Sequence, residues 1–185
     1  AMKKGFTMIE LIFVIVILGI LAAVAIPRLA ATSDDAEVSK AATNLNAALS
    51  DITAFYTAKG KFNLSDQANS KPILSDMTGV QFGAAAANQA SDTGNIQVKK
   101  KDCIQLKVVD ASTDGTPAYV MVKKVGTDAI CAMVAANPGV ASALTSKFSY
   151  TKTAAGATTP TTATLPESTE KDTGYIKVGG TGVEY

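Results

Sequence analysis

The sequence has no histidine, no tryptophan and only two cysteines, and aromatic residues make up 6% of it. Histidine is the commonest general base and the commonest metal ligand, and two cysteines without it make a poor zinc site. The net charge of +1 argues against a protein that binds nucleic acid through a strongly basic surface. We therefore predict that the chain is not an enzyme and that it carries neither a metal nor a cofactor.

What the sequence does contain is a long apolar run near its start, residues 11–26, which two lysines precede at positions 3 and 4. Counted over residues 6–26, the run is roughly 31 Å long as a helix, close to the thickness of a bilayer core. The lysines favour an orientation with this end in the cytoplasm and the rest outside. Glu10 is the exception, because a carboxylate at mid-membrane costs about 2.5–3.5 kcal/mol and therefore marks a functional residue.

The residues around this carboxylate form one motif, Gly5-Phe6-Thr7-Met8-Ile9-Glu10-Leu11. The motif follows a short basic leader and precedes an apolar run that ends at Pro27. It resembles the N-terminus of type IV pilins and pseudopilins with a class III-type leader, and the resemblance extends to residue 55 at most. It implies a leader of residues 1–5 that is cleaved between Gly5 and Phe6. Phe6 is then N-methylated, and Glu10 neutralises the amine of Phe6 in a neighbouring subunit.

Two plainer interpretations of the same stretch stay open from the residues alone. A secretory signal peptide has a basic start and a small-residue cleavage site, which residues 22–25 fit, but its apolar core spans only about 7–15 residues. A plain membrane anchor has the right length but gives no reason for Glu10. We therefore expect residues 6–28 to form a transmembrane helix that also serves polymerisation.

The helical period continues after Pro27. Apolar residues recur at three- and four-residue steps and predict one buried stripe: Val38, Ala41, Ala42, Leu45, Ala48, Leu49, Ile52, Phe55 and Tyr56. We predict one helix over residues 6–58, with a protruding apolar first half and an amphipathic second half, ended by Gly60. Gly19 and Pro27 bracket a segment that is expected to kink, and the resemblance implies melting there in filaments, although membrane helices tolerate both residues.

The rest of the chain predicts an antiparallel sheet that packs on this helix, giving an α+β pilin fold with a head of residues 29–185. An irregular αβ loop at residues 59–95 precedes the β-sheet and C-terminal region, residues 96–185. Strand patterns occur at residues 102–109, 118–125, 129–134, 148–150 and 175–178. Residues 140–147 predict a short helix. The Thr-rich residues 151–173 predict a flexible or extended surface segment, with O-linked glycans as a sharper alternative.

Cys103 and Cys131 lie in the part that is predicted to be exported, where an even pair favours a disulfide. Such a bridge contributes roughly 3–4 kcal/mol in the chain-entropy model. By resemblance, pilins often have a bridge and many pseudopilins do not, so the pair favours a pilin. The lysines at 99–101 are interpreted as a solvated strand entry, and contact with DNA or another acidic surface is left open without support.

These features together predict a structural subunit of a type IV pilus, made as a prepilin in a bacterial inner membrane and polymerised into an extracellular helical filament. The resemblance implies a prepilin peptidase and methyltransferase and the pilus assembly machinery as partners. It implies adhesion, twitching motility or DNA uptake as roles. Two alternatives stay open: a pseudopilin that forms a periplasmic piston in type II secretion, and a membrane-anchored binding module that does not polymerise.

Overall fold

A computed structural model of the chain describes residues 5–62, 74–83, 92–112, 115–152, 161–165 and 172–179. The chain divides into two units, Ala1–Glu37 and Val38–Tyr185. Helix α1, Met8–Lys59, begins in the first unit and ends in the second. Its bounds lie within two residues of the helix that the periodicity predicted.

The described residues of the second unit combine the end of α1 with two antiparallel sheets and two short helices. Its further elements are a 3₁₀ turn Leu74–Asp76, β1 Thr93–Val98, β2 Lys101–Val109, β3 Tyr119–Lys124, α2 Ala129–Ala136, α3 Pro138–Thr145, β4 Phe148–Lys152, β5 Thr161–Leu165 and β6 Thr173–Lys177. The larger sheet has the order β1-β2-β3-β6, and β4 pairs with β5. All of these pairings are antiparallel. The predicted α+β class, a long helix with an antiparallel sheet, is confirmed.

The second half of α1 forms one side of the core of this unit. Leu45, Ala48 and Ile52 are fully buried, and the predicted stripe is otherwise buried or, at Leu49 and Phe55, partly buried. The opposite side of the core is the inner face of the sheet, and burial alternates along β2 and β3 as a half-buried strand requires. Its fully buried side chains are Ile96, Val98, Ile104, Leu106, Val108, Val120 and Val122.

Replacing Ile52 with alanine is expected to lower the free energy of unfolding by about 2–5 kcal/mol, because the change leaves a cavity in a closely packed core. The matched control is Thr53→Ala on the next residue. Thr53 is exposed, and its hydroxyl only donates to the carbonyl of Leu49, so we expect a change within about 0.5 kcal/mol. Urea unfolding of the full chain in detergent, followed by tyrosine fluorescence, measures both. If both changes lowered the free energy of unfolding equally, the result would contradict the packing of Ile52 in the core.

The end of α1 is fixed by a glycine and two aromatic rings. Gly60 has φ +72° and donates its N–H to the carbonyl oxygen of Tyr56 at 2.7 Å, a helix end that favours glycine. The rings of Tyr56 and Phe62 pack with centroids 4.8 Å apart. Burial raises the pKa of the Tyr56 hydroxyl, and the carboxylate of Asp110 raises it further, so the neutral form is favoured.

The turn between β1 and β2 has an unusual backbone. Lys99 and Lys100 have φ values of +49° and +63°, and the flanking residues Val98 and Lys101 pair directly. A two-residue hairpin turn with two positive φ values strongly prefers Asn-Gly or similar pairs. Left-handed backbone costs a residue with a Cβ roughly 1–2 kcal/mol, so two lysines at this turn are conformationally strained. This strain was not predicted from the sequence, where the lysine run was interpreted only as a strand entry.

The strand predicted at residues 129–134 is wrong, because these residues belong to helix α2. Its buried residues, Cys131 and Val134, are three apart, which is a helical spacing and not the two-residue alternation of a strand. Alanine fills half of the eight positions of α2, and alanine is the strongest helix former. The predicted helix that follows is confirmed as α3, and the predicted return of residues 175–178 to the sheet is confirmed as β6.

Within the residues 151–173 that were predicted to be a flexible or extended surface segment, Thr161–Leu165 form strand β5, which is extended and mostly exposed but is paired and buries Leu165. Threonine is β-branched and suits a pleated strand once a partner is present, and β4 is that partner. The pair also forms a second apolar cluster with one face of β3 and β6, in which Tyr150, Leu165 and Tyr175 are buried. The glycan prediction for this tract falls partly on residues outside those described and stays a prediction.

Candidate functional site

The motif residues Gly5, Phe6 and Thr7 precede the helix and are exposed. Helix α1 begins at Met8, so Thr7 is its N-cap and Glu10 its third residue. The Glu10 carboxylate accepts from the Thr7 N–H at 2.9 Å and from the Thr7 hydroxyl at 2.5 Å. The Glu10 N–H donates to the Thr7 hydroxyl oxygen at 3.3 Å. This reciprocal arrangement is a capping box, which satisfies two backbone donors at the helix start.

The capping box was missed in the sequence, although its signature is present. A Thr followed three residues later by a Glu, just ahead of an apolar run, is the usual pattern of such a helix start. The geometry gives Glu10 a structural role within its own subunit, in addition to the intersubunit role that the resemblance implies. Any test of Glu10 must therefore separate its charge from its capping hydrogen bonds.

The first part of α1 exposes apolar side chains almost without interruption. From Met8 to Leu29 its large apolar side chains are 41–85% exposed, and Glu10 is the only ionisable residue before Arg28. Within the described residues, α1 is the one helix long and apolar enough to cross a membrane, judged by length and composition. Side chains of this kind require lipid or other protein around them, because exposing them to water costs about 1.5–3 kcal/mol for each large residue.

Helix α1 is continuous through Gly19 and Pro27. Proline removes one backbone donor from the hydrogen-bond ladder of a helix, and glycine lowers helix stability by about 1 kcal/mol relative to alanine. The kink expected near Pro27 and the melting that the resemblance implies in filaments both stay predictions. The cleavage at Gly5 and Phe6 and the methylation of Phe6 likewise stay predictions.

The two cysteines form a disulfide, Cys103 to Cys131, separated by 28 positions in the sequence. Both are fully buried, and the bridge joins β2 to helix α2, where a third strand of a meander was predicted. The bond therefore holds α2 against the edge of the core. Among the described residues, there is no group of three or more His, Cys, Asp or Glu residues suited to a metal ion.

Replacing both cysteines with alanine is expected to lower the free energy of unfolding by roughly 3–4 kcal/mol, because the unfolded chain gains the freedom of an open loop. Thermal unfolding of the oxidised chain and of the double variant, in the same detergent, measures the difference. A reducing agent should destabilise the unaltered chain and leave the double variant unchanged. If the reducing agent lowers the thermal stability of both proteins by a similar amount, its effect does not come from breaking this disulfide.

Comparisons with known proteins identify the family to which this N-terminal motif belongs. The family described as "Prokaryotic N-terminal methylation motif" matches residues 1–26. A fimbrial protein of Neisseria meningitidis serogroup B is 32% identical over 147 residues, covering 74% of this chain and 86% of that protein. No solved structure is significantly similar to the chain.

Two further relatives carry the name of major pilins. The type IV major pilin protein PilE1 of Neisseria gonorrhoeae is 36% identical over 107 residues, covering 54% of this chain and 50% of that protein. The type IV major pilin protein PilA of Myxococcus xanthus is 37% identical over 89 residues, covering 46% of this chain and 40% of that protein. The chain thus spans about half of these two relatives or less. Since the match to the meningococcal protein extends over most of both chains, this chain belongs to the type IV pilin family.

Proposed function

We propose that this chain is the structural subunit of a surface pilus, assembled from the inner membrane through the first part of α1. The observation that carries the proposal is the apolar surface from Met8 to Leu29, with the single carboxylate of Glu10 near its start. Before assembly, lipid covers these side chains. After extraction into a filament, other copies of the same helix cover them and hold the subunits together.

The processing steps prepare the N-terminus for this assembly. The scissile bond between Gly5 and Phe6 lies ahead of the capped helix in exposed, non-helical chain, where a peptidase has access to it. Cleavage creates an amine at Phe6. A carboxylate that leaves the membrane surface for an apolar bundle needs a cation, and the amine of a neighbouring subunit supplies it. Charge pairing between Glu10 and Phe6 then fixes the axial register between subunits.

Two observations favour a surface pilus over a periplasmic pseudopilus. Cys103 and Cys131 form a disulfide, and by resemblance pilins often have such a bridge whereas many pseudopilins do not. The relatives that the chain resembles are named fimbrial proteins and major pilins. The prepilin peptidase, the methyltransferase and the assembly machinery are the partners that such a subunit requires.

Electron microscopy of filaments sheared from the native cells tests the proposal, using antibody raised against residues 61–185. We expect label along the whole length of surface fibres. Unlabelled fibres, with the processed chain retained in the membrane, would contradict a major pilus subunit and favour a pseudopilin. An unprocessed chain in the membrane would contradict the processing steps themselves.

A further inference from the structure

The chain has sixteen lysines and a single arginine, Arg28. Arg28 directly follows Pro27, where the apolar run of α1 ends, and its side chain is exposed. Arginine and lysine carry the same charge, but only the guanidinium presents a planar fork of donors that binds a phosphate or a carboxylate through two parallel hydrogen bonds. Arginine at this one position of a lysine-rich chain therefore indicates an oxyanion as its ligand.

Helix α1 does not supply this oxyanion itself. On a helix, the residues three and four positions away face Arg28, and all four are uncharged: Val24, Ala25, Ala31 and Thr32. The nearest carboxylate on the same helix is that of Asp34, six residues further on, which is about 9 Å along the axis. Within the residues that the structure describes, no ion pair involves Arg28. An oxyanion for Arg28 must therefore come from outside the described residues.

The position of Arg28 along α1 matches the thickness of a membrane. Arg28 lies 18 residues after Glu10 on one continuous helix, and no other ionisable residue lies between them. This separation is about 27 Å, and the hydrocarbon core of a bilayer is about 30 Å thick. When Glu10 lies at the cytoplasmic surface, Arg28 lies close to the opposite one. A long basic side chain near the end of a span extends its charged group to the interface, where the lipid phosphates lie.

We propose that Arg28 binds the phosphate of a lipid headgroup at the outer surface of the inner membrane, and that this contact sets the depth of α1 before assembly. The inference rests on the proposed function, because it requires α1 to span a membrane before the subunit enters a filament. It goes beyond that function, because it assigns a ligand to a residue outside the N-terminal motif. After the predicted removal of residues 1–5, Arg28 is the only cationic side chain before Lys40.

Solid-state NMR detects the contact directly, because arginine labelled with ¹³C in its guanidinium gives a signal from Arg28 alone. The unaltered full chain is placed in phosphatidylglycerol bilayers in a buffer without phosphate, and dephasing of the carbon signal by ³¹P is measured. Hydrogen bonds of about 2.7–2.9 Å between nitrogen and oxygen place the guanidinium carbon roughly 4 Å from phosphorus. We expect strong dephasing at this distance. A guanidinium signal that ³¹P leaves unchanged would overturn the proposal.

A second sample separates the lipid headgroup from free phosphate as the ligand. The same labelled chain is placed in bilayers of digalactosyldiacylglycerol, a lipid without phosphate, and inorganic phosphate is added to the buffer. We expect no dephasing in this sample. Dephasing as strong as in phosphatidylglycerol would assign Arg28 to soluble phosphate and overturn the lipid contact.

The second experiment measures the depth of α1 in the bilayer. Ser33→Cys introduces a thiol five residues after Arg28, while the native cysteines are paired with each other. In phosphatidylglycerol nanodiscs, the rate at which a membrane-impermeant maleimide modifies this thiol reports how far α1 emerges. We expect Arg28→Gln to lower the rate about fivefold, the factor that corresponds to one basic residue at an anionic lipid surface. In galactolipid nanodiscs, we expect a much smaller reduction.

The lipid dependence of this reduction distinguishes phosphate binding from charge alone. A charge avoids the hydrocarbon core in either lipid, so an equal reduction in both would overturn the phosphate contact. Lys40→Gln is the matched control, because Lys40 lies about 18 Å beyond Arg28 along the helix. It should leave the labelling rate unchanged in both lipids. A reduction as large as that of Arg28→Gln would show that any basic residue of α1 sets the depth, which would also overturn the proposal.

Failure of the inference and failure of the proposed function give different results. If alkaline carbonate extracts the unaltered chain from native inner membranes, α1 does not span them, and the proposed function fails together with the lipid contact. If the chain resists extraction but shows no ³¹P dephasing, only the lipid contact is overturned. Absent dephasing, combined with loss of filaments from Arg28→Gln in native cells, would assign Arg28 to a carboxylate of a second copy instead.

Discussion

Replacement of Glu10 with valine is expected to leave the chain cleaved and inserted in the membrane while reducing filament recovery by more than about tenfold. The carboxylate is the only ionisable group in the apolar part of α1, and the amine of Phe6 is its predicted partner in the next subunit. Removing one member of a buried ion pair costs about 3–5 kcal/mol, because the other charge stays buried without compensation. Immunoblots of membrane and sheared fractions measure both pools.

The capping box requires two further variants, because Glu10 also accepts hydrogen bonds from Thr7. Glu10→Gln keeps an acceptor for the cap and removes the charge, so we expect it to assemble as poorly as the valine variant. Thr7→Ala removes the hydroxyl and keeps the charge. Losing an N-cap side chain costs about 0.5–2 kcal/mol of helix stability, so we expect filament recovery to fall much less.

The relative filament recovery of the three variants distinguishes the two roles of Glu10, the charge pairing and the helix cap. If glutamine restores normal filaments, the carboxylate serves only as a cap, and the register argument is wrong. If Thr7→Ala abolishes filaments as completely as the valine change, the cap is what assembly requires. Reduced cleavage in any variant would show that its defect precedes assembly.

The spacing of apolar residues predicted most features that depend on a single helix or strand. The stripe from Val38 to Tyr56 identified the packed face of α1, since a helix that buries one side must repeat apolar residues at about 3.6-residue intervals. Gly60 marked the helix end, because the backbone there needs a positive φ that glycine adopts most easily. The alternation along β2 marked its inner face in the same way.

The incorrect predictions concern segments whose structure depends on distant partners. Helix α2 was assigned as a strand because a short apolar run fits either element, and a disulfide to β2 holds it where it lies. Strand β5 was predicted only as part of a flexible or extended surface segment, because its threonines bury little by themselves and only pairing with β4 makes the strand. The strain at Lys99 and Lys100 depends on the register between β1 and β2.

The candidate site was predicted by its motif rather than by its geometry. The order of residues 5–11 indicated cleavage, methylation and charge pairing by resemblance, and the comparisons support that family assignment. The capping box could have been predicted from Thr7 and Glu10 alone, because it is a local pattern.

Replacement of Gly5 with valine is expected to block removal of the leader completely, so that no filaments form. The structure itself does not require glycine at this position, because a Cβ added to Gly5 has no atom within 4 Å. Any loss of cleavage therefore reflects recognition by the peptidase and not a change in the fold. Mass spectrometry of the chain from membranes should find residues 1–5 retained and Phe6 without an N-methyl group.

Gly19→Val is the matched control for this change, since a Cβ at Gly19 also has no atom within 4 Å. Gly19 lies within α1, away from the predicted scissile bond, so its variant should be cleaved and methylated normally. Cleavage of the Gly5→Val chain would show that the peptidase does not recognise this glycine. Loss of cleavage in the Gly19→Val chain would show that the conformation of helix α1 affects cleavage. The pair thus separates recognition of the leader from the conformation of the segment that follows it.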